Sequence, residues 1–215
     1  MAGLHAFLAG ELAALPRSTP VLDVGCGSGA WLARLKQLGF TDLTGVDAGT
    51  RPSLDGVTFI QADLDEGPLP VSRTFRLVTM IEVIEHLANP GLAFAHLAAH
   101  LSDGGFALVT SPNIHALRCR LKFLLTGRLA SFDEKGDPTH TTPFFLPGAR
   151  KVAQRHGLEI SLAWTYPPRQ TLMFGVTIRS AAAVLRAVMP DPLPGDTLCL
   201  RIENVRSGAV PRPAG

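Results

Sequence analysis

Hydrophobic positions along the chain follow two alternating rhythms. Short continuous apolar runs, the length of a buried strand, are separated by stretches whose apolar residues recur every three or four positions. "PVLDVG" (20–25) is the first run and ends on a glycine, after which Leu32, Leu35 and Leu38 repeat at helical spacing. "DLTGVDA" (42–48), "VTFIQAD" (57–63) and "FRLVTMIEV" (75–83) read as the second to fourth strands. In the helix that follows, Asn89 is placed to cap, Pro90 suits the first turn, and Leu92, Leu97 and Leu101 continue the stripe. "SDGG" (102–105) stops that helix and "FALVTSPN" (106–113) makes a fifth strand. This alternation predicts an α/β, doubly wound, mostly parallel sheet with helices on both faces.

The rhythm lapses between about 113 and 148. "NIHALRCRLKFLLTGRL" reads as a basic amphipathic helix, and "ASFDEKGDPTHTTPFFLPG" is polar and rich in turn residues. Periodicity resumes with a helix in "GARKVAQRHG" and a strand in "LEISLAWTY". A helix near 171–189 and a last strand in "DTLCLRIENV" complete the pattern. The expected organisation is one domain over 1–205, with a core at 18–113, an insertion or lid at 114–148 and a flexible tail at 206–215. No internal repeat is present.

The N-terminal stretch lacks the basic start and long apolar core of a signal peptide. It reads as a short helix with Leu4, Leu8, Leu12 and Leu15 on one face. Arg179 and Arg186 interrupt the most apolar late stretch, whereas a spanning helix needs roughly 20 mostly apolar residues. A packed or membrane-surface helix is the expectation there, and peripheral membrane contact stays open.

Composition narrows the function classes. With 215 residues, 46% of them hydrophobic, the chain can bury one proper core. A net charge of +2 gives no reason to expect a nucleic acid as partner. Cys26, Cys119 and Cys199 form no CxxC pair, so a reducing, cytoplasmic setting without disulfides or structural zinc is expected.

Ligands on parallel sheets bind beyond the carboxyl ends of the strands, and the unusual polar residues Asp47, Asp63, Glu82 and Asn113 all fall at such ends. Gly25, Gly27 and Gly29 sit where a strand turns sharply into a helix, and without Cβ atoms they allow positive φ and close ligand approach. No Lys-Ser/Thr pair completes a P-loop, and the spacing is GxGxG rather than the dinucleotide GxGxxG. Asp23, two residues before the first glycine, would repel a phosphate and attract an ammonium group. Asp47 follows Gly29 by 18 residues, about the interval at which nucleotide-binding sheets place an acid against both ribose hydroxyls. Asp63 could accept from an adenine amino group. S-adenosylmethionine, a cationic nucleoside, fits this set. Each acid also has a plainer reading, as a loop-ordering or solvated carboxylate.

"VLDVGCGSGAWL", "GVDA", "ADL", "LVTMIEVIEHLANP" and "LSDGGFALVTSPN" together resemble the successive motifs of class I S-adenosylmethionine-dependent methyltransferases. The nearest branch includes the ubiquinone-type O-methyltransferases, and the likeness covers about residues 18–113. It implies a seven-stranded sheet with an antiparallel last strand. It also implies cofactor contacts at Asp23, Gly25, Gly27, Gly29, Asp47, Asp63, Leu64, Met80, Ile81 and Glu82; Cys26 and Ala48, within the same turns, complete the candidate set. One departure stands out. Only residues 48–56 separate Asp47 from the third strand, whereas a parallel crossover usually takes at least about 10 to 12 residues. The second helix is therefore expected to shrink to a turn.

Methyl transfer needs alignment first and a base second. His140, in "HTTPFF", and His115, just after "SPN", are the candidate catalytic histidines. His96, His100 and His156 lie in predicted helices and read as structural or exposed. In some ubiquinone-type enzymes the pattern matching Glu82, Glu85 and His86 resembles a divalent-metal site; the plainer expectation is no metal. Arg118, Arg120, Lys122 and Arg128 suggest either a lid over an acidic or amphiphilic small-molecule acceptor or a solvated charged face. The leading expectation is methylation of a small molecule, at oxygen. Metal-assisted quinone-type O-methylation and a catalytically silent binding module are its rivals.

Overall fold

A computed structural model describes residues 3–49, 51–168 and 193–205. The described residues form a seven-stranded sheet in the order β3-β2-β1-β4-β5-β7-β6. Its strands are β1 (Val21–Val24), β2 (Leu43–Asp47), β3 (Val57–Gln61), β4 (Phe75–Ile81), β5 (Leu101–Pro112), β6 (Leu158–Tyr166) and β7 (Thr197–Asn204). β1 to β5 run parallel, and β7 is antiparallel to both β5 and β6. The helices are α1 (Leu4–Glu11), α2 (Ala30–Gln37), α3 (Pro90–His100), α4 (Leu117–Thr126) and α5 (Leu146–Arg155), with a single 3-10 turn at Ile84–His86.

Alternation along the strands divides the core in two, as the period of two in a strand requires. Leu22, Val78 and Val109 join a cluster with Phe94 and Leu97 of α3 and Ala149 of α5. Their neighbours Val21, Leu77 and Leu108 join Leu8 of α1 with Trp31, Leu32 and Leu35 of α2 on the other face. Every residue of β1 is buried, which explains why this strand reads as an apolar run broken only by Asp23.

Local signals hold where they have a mechanism. The Asn89 side chain accepts from Gly91 N at 3.0 Å at the start of α3, with Pro90 in its first turn. No helix lies between β2 and β3 among the described residues, in keeping with the short connection. Two boundaries differ from expectation. Asp63 lies two residues beyond the end of β3. "SDGG" does not separate helix from strand: α3 ends at His100 and β5 begins at Leu101. Leu101 pairs with Phe75 and Phe106 with Leu77, so Ser102–Gly105 bulge opposite Arg76, whose Nη1 donates to Asp103 O at 3.2 Å. The expected helix near 171–189 and tail at 206–215 lie outside the described residues. No helix among the described residues is long and apolar enough to cross a membrane.

Candidate functional site

The carboxyl ends of β1, β2 and β4 converge on a cavity of about 270 Å³. It is lined by Gly25, Asp47, Ala48, Asp63, Leu64 and Glu82 from the expected set, together with Val83, His86 and Leu87. Asp23, Cys26, Gly27, Gly29, Met80 and Ile81 do not line it. Met80 is wholly buried in the core, and Cys26 packs where any Cβ on Gly45 would strike its sulfur. Burial pushes the Cys26 thiol up to about 12, helped by Asp23 and Asp47, so it stays neutral.

The glycine loop is held from below and open above. Gly25 has φ +74°, and a Cβ there would come within 2.6 Å of Val83 Cγ2. A Cβ on Gly27, at φ +50°, would meet nothing within 4 Å, which leaves the loop's outer surface accessible. Asp47 binds the loop directly: its Oδ2 accepts from Gly27 N and its Oδ1 from Gly49 N, each at 2.8 Å. A carboxylate has about four lone-pair sites, so two remain for a ligand. Asp63 Oδ1 accepts from Asp65 N at 2.9 Å, and buried His96 donates to Leu64 O at 2.9 Å, fixing the turn after β3.

Asp23 sits beneath the loop. Its Oδ1 accepts from Thr79 Oγ1 at 2.7 Å, while the buried Oδ2 has no partner. Burial raises its carboxyl from 3.8 to about 7, partly opposed by the Thr79 bond and reinforced by Asp47. An acid whose folded pKa lies above its unfolded value favours folding fully below the unfolded pKa and loses that contribution as pH rises through the folded one. The ligand-free chain is therefore expected to lose stability between about pH 4 and pH 7, on the order of 4 kcal/mol from this residue. Asp23→Asn should flatten that slope in chemical denaturation followed across pH; an unchanged slope would assign it to other groups.

Glu82 follows β4 with φ +56°, a left-handed conformation that costs a non-glycine residue about 1–2 kcal/mol. Thr110 holds it there, its Oγ1 accepting from Glu82 N at 3.0 Å and donating to Glu82 Oε1 at 2.8 Å. Burial raises the Glu82 pKa. Glu85, on the 3-10 turn, is wholly buried, and neither carboxylate oxygen has a hydrogen-bond partner. Burial, then the charge of Glu82, pushes its pKa up to about 8.

The polar segment 130–145 folds over this turn. Thr141 N and Thr142 N both donate to Glu85 O at 3.0 Å, and Thr142 Oγ1 donates to Leu87 O at 2.8 Å. His140 thereby comes beside His86, with ring centroids 4.9 Å apart. His140 also lines a second cavity of about 400 Å³ with Phe123, Arg128, Phe132 and Pro143. His115 is placed differently. Its Nε2 accepts from Leu146 N at 3.1 Å at the start of α5, its ring stacks on Phe145, and burial lowers its pKa. Sequence reasoning did not find the His86–His140 pairing, since the two are 54 residues apart and carry no shared motif.

The three residues of the metal-like pattern in the sequence do not stand together as one group. Glu82 is bonded to Thr110 and does not join Glu85 and His86; the described group of potential ligands is Glu85, His86 and His140.

Comparison with known proteins agrees with the fold. A family model described as a methyltransferase domain matches residues 1–161. The ubiquinone biosynthesis O-methyltransferase of Colwellia psychrerythraea is 26% identical over 151 residues, 65% of this chain and 60% of that protein. That of Rickettsia prowazekii is 31% identical over 104 residues, 43% of this chain and 40% of its own length. The chain thus spans about 40–60% of the length of these relatives. Among solved structures, an S-adenosylmethionine-dependent methyltransferase from Mesorhizobium loti shares the fold with a TM-score of 0.56 at 16% identity, covering 93% of this chain and 98% of that one. A mixed sheet of order β3-β2-β1-β4-β5-β7-β6 with an antiparallel β7, an open glycine loop, an acid at the end of β2 and a matched family model lead to one assignment: the chain belongs to the class I S-adenosylmethionine-dependent methyltransferases.

Proposed function

We propose that the chain methylates an oxygen of a small-molecule acceptor, with residues 18–113 holding S-adenosylmethionine and residues 114–148 covering the acceptor. One observation carries this reading. His86 borders the 270 Å³ cavity, His140 borders the 400 Å³ cavity, and the two rings are in edge contact. The two cavities are therefore neighbours on either side of this ring pair, and an in-line displacement would run across it.

Asp47 would take the ribose hydroxyls, and the glycine loop above Asp23 would lie against the amino-acid end. Asp63 and Leu64 flank the adenine. The cofactor supplies a methyl group on a positive sulfur. With that group bound, the chain's own part in its transfer to an acceptor oxygen would be His140, placed to take the hydroxyl proton. His140 Nδ1 is 2.9 Å from Ser131 O and so carries its hydrogen, leaving Nε2 as the basic nitrogen of the metal-free chain. Of the two candidate histidines, His140 is preferred because the lone pair of His115 is engaged by Leu146 N.

The wall around the second cavity supports an amphiphilic acceptor: Phe123, Phe132 and Pro143 give it an apolar side, and Arg128, Asp133, Glu134 and His140 a polar one. The test is a panel of hydroxyl, carboxyl and amine acceptors incubated with methyl-labelled S-adenosylmethionine. Label is expected on oxygen. Label on nitrogen alone would overturn the oxygen assignment, and binding of ATP or NAD in place of S-adenosylmethionine would overturn the site.

A further inference from the structure

We infer that a third cavity, between α3 and α5, binds a small amphiphilic carboxylate whose apolar body has about six carbons, at a site separate from that of the methyl acceptor. The cavity measures about 170 Å³. Ile84, Phe94, Pro143, Phe144, Ala149 and Val152 give it hydrocarbon walls.

Its lining asks for no polar partner. The Thr142 hydroxyl is spent, its Oγ1 donating to Leu87 O at 2.8 Å, and Gly91 N donates to Asn89 Oδ1 at 3.0 Å. An apolar cavity of about 150 Å³ stays dry and takes up a hydrocarbon the size of benzene. Volume and lining together therefore specify an apolar group of that size, and they disfavour a sugar or a nucleotide. Pro143 and Phe145 are exposed and Gly148 and Val152 half-buried, so the cavity opens to solvent beside α5. A polar head can stay hydrated there while the apolar body is covered.

The charge beside that opening is positive. Lys151 follows Gly148 by three residues and Arg155 follows Val152 by three, which places both cations along the edge of α5 that borders the cavity. Neither has an ion-pair partner among the described residues. Neither α3 nor α5 contains an Asp or Glu. Asp65, which meets the chain just before α3, has its two oxygens engaged by Ala88 N and Asn89 N. Around the 400 Å³ cavity the balance differs, since Lys122 and Arg128 are paired there with Asp133 and Glu134. An anionic head is thus favoured at the mouth of the α3–α5 cavity.

The two sites are kept apart by the chain itself. Pro143 borders both, but Thr141 lines the 400 Å³ cavity and Thr142 the smaller one. This dividing stretch is fixed at its backbone, where Thr141 N and Thr142 N both donate to Glu85 O at 3.0 Å.

The test is an NMR titration of the isotope-labelled full chain with butanoate, hexanoate and the neutral hexan-1-ol. Hexanoate should bind with a Kd of about 1 mM, the value that burying about five methylenes gives, and should shift the amides of Phe94, Ala149 and Val152. Butanoate should bind about 16-fold more weakly, at about fourfold per methylene. Hexan-1-ol should bind about two- to tenfold more weakly than hexanoate, with the gap closing at high salt. The double variant Lys151→Gln, Arg155→Gln should erase that gap and leave hexan-1-ol binding unchanged. A Cβ on Gly148 would meet only Phe145 Cδ1 at 3.7 Å, an ordinary contact, so Gly148→Leu can fill the cavity and should abolish binding of both six-carbon probes. Hexanoate binding that survives in folded Gly148→Leu, or that shifts Phe132 and His140 instead, would overturn the site; the shift pattern of the unsubstituted chain decides even if the variant does not fold. Equal affinity for hexanoate and hexan-1-ol at low salt would overturn the carboxylate. Methyl transfer is not read at any point, so the site stands or falls apart from the acceptor assignment.

Discussion

Replacing Asp47 with alanine is expected to weaken S-adenosylmethionine binding about 30- to 1,000-fold, the range that follows from losing two charge-assisted hydrogen bonds worth about 2–4 kcal/mol together. Asp47 closes β2 and faces the 270 Å³ cavity, with both oxygens holding backbone N–H groups of the loops on either side. The substitution therefore acts twice. It removes the acceptors proposed for the ribose diol, and it frees Gly27 N, so the glycine loop loses this hydrogen bond to β2. Asp47→Asn separates these effects, because one carbonyl oxygen remains to hold Gly27 N while the charge is lost. Calorimetry should rank wild type above Asp47→Asn and Asp47→Asn above Asp47→Ala. Equal affinities in all three would place the ribose elsewhere and remove the reason for an acid at this strand end.

The same residue shows how far the sequence could be read. That Asp47 ends a strand follows from the apolar run before it, and its interval from Gly29 suggests a ribose. Its bond to Gly27 N could not be read, since it depends on where two loops meet above the sheet. Strand assignments succeeded because β1, β2 and β4 are nearly buried on both faces, which leaves a continuous apolar signature. The short link between β2 and β3 was legible as a simple matter of reach. "SDGG" was read as a stop signal because Gly-rich tetrapeptides punctuate chains; its role as a bulge is defined by Arg76 on the neighbouring strand, which no local pattern reveals.

At the site, residue type was a better guide than position. The acids at the strand ends reach the cavity, whereas Met80 and Cys26, included for their place in a motif, turn into the core. Glu82 adopts φ +56° because Thr110, 28 residues later, grips both ends of it. That pair decides which groups stay available beside His86, and it arises from parallel pairing of β4 with β5. The spacing of Glu82, Glu85 and His86 would put them on one face of an α-helix, but here the chain makes a single 3-10 turn entered from a left-handed residue.

Replacing His140 with alanine is expected to lower turnover about 10²- to 10⁴-fold, the usual contribution of a positioned proton acceptor, while S-adenosylmethionine affinity changes by no more than about threefold. The split follows from placement. His140 lines the 400 Å³ cavity and is absent from the wall of the 270 Å³ cavity. The ring also packs against His86 and Phe132, so a purely structural role would lower the melting temperature and raise KM for the acceptor. A chemical role instead lowers kcat at an unchanged melting temperature. It also changes the pH profile, because the variant's rate should keep rising with pH as the acceptor ionises unaided. Acceptors with more acidic hydroxyls need the base less and should lose least. A uniform loss across acceptors of different acidity, with S-adenosylmethionine binding intact, would mean that His140 shapes the cavity without taking the proton, and the base would have to be sought elsewhere along 114–148.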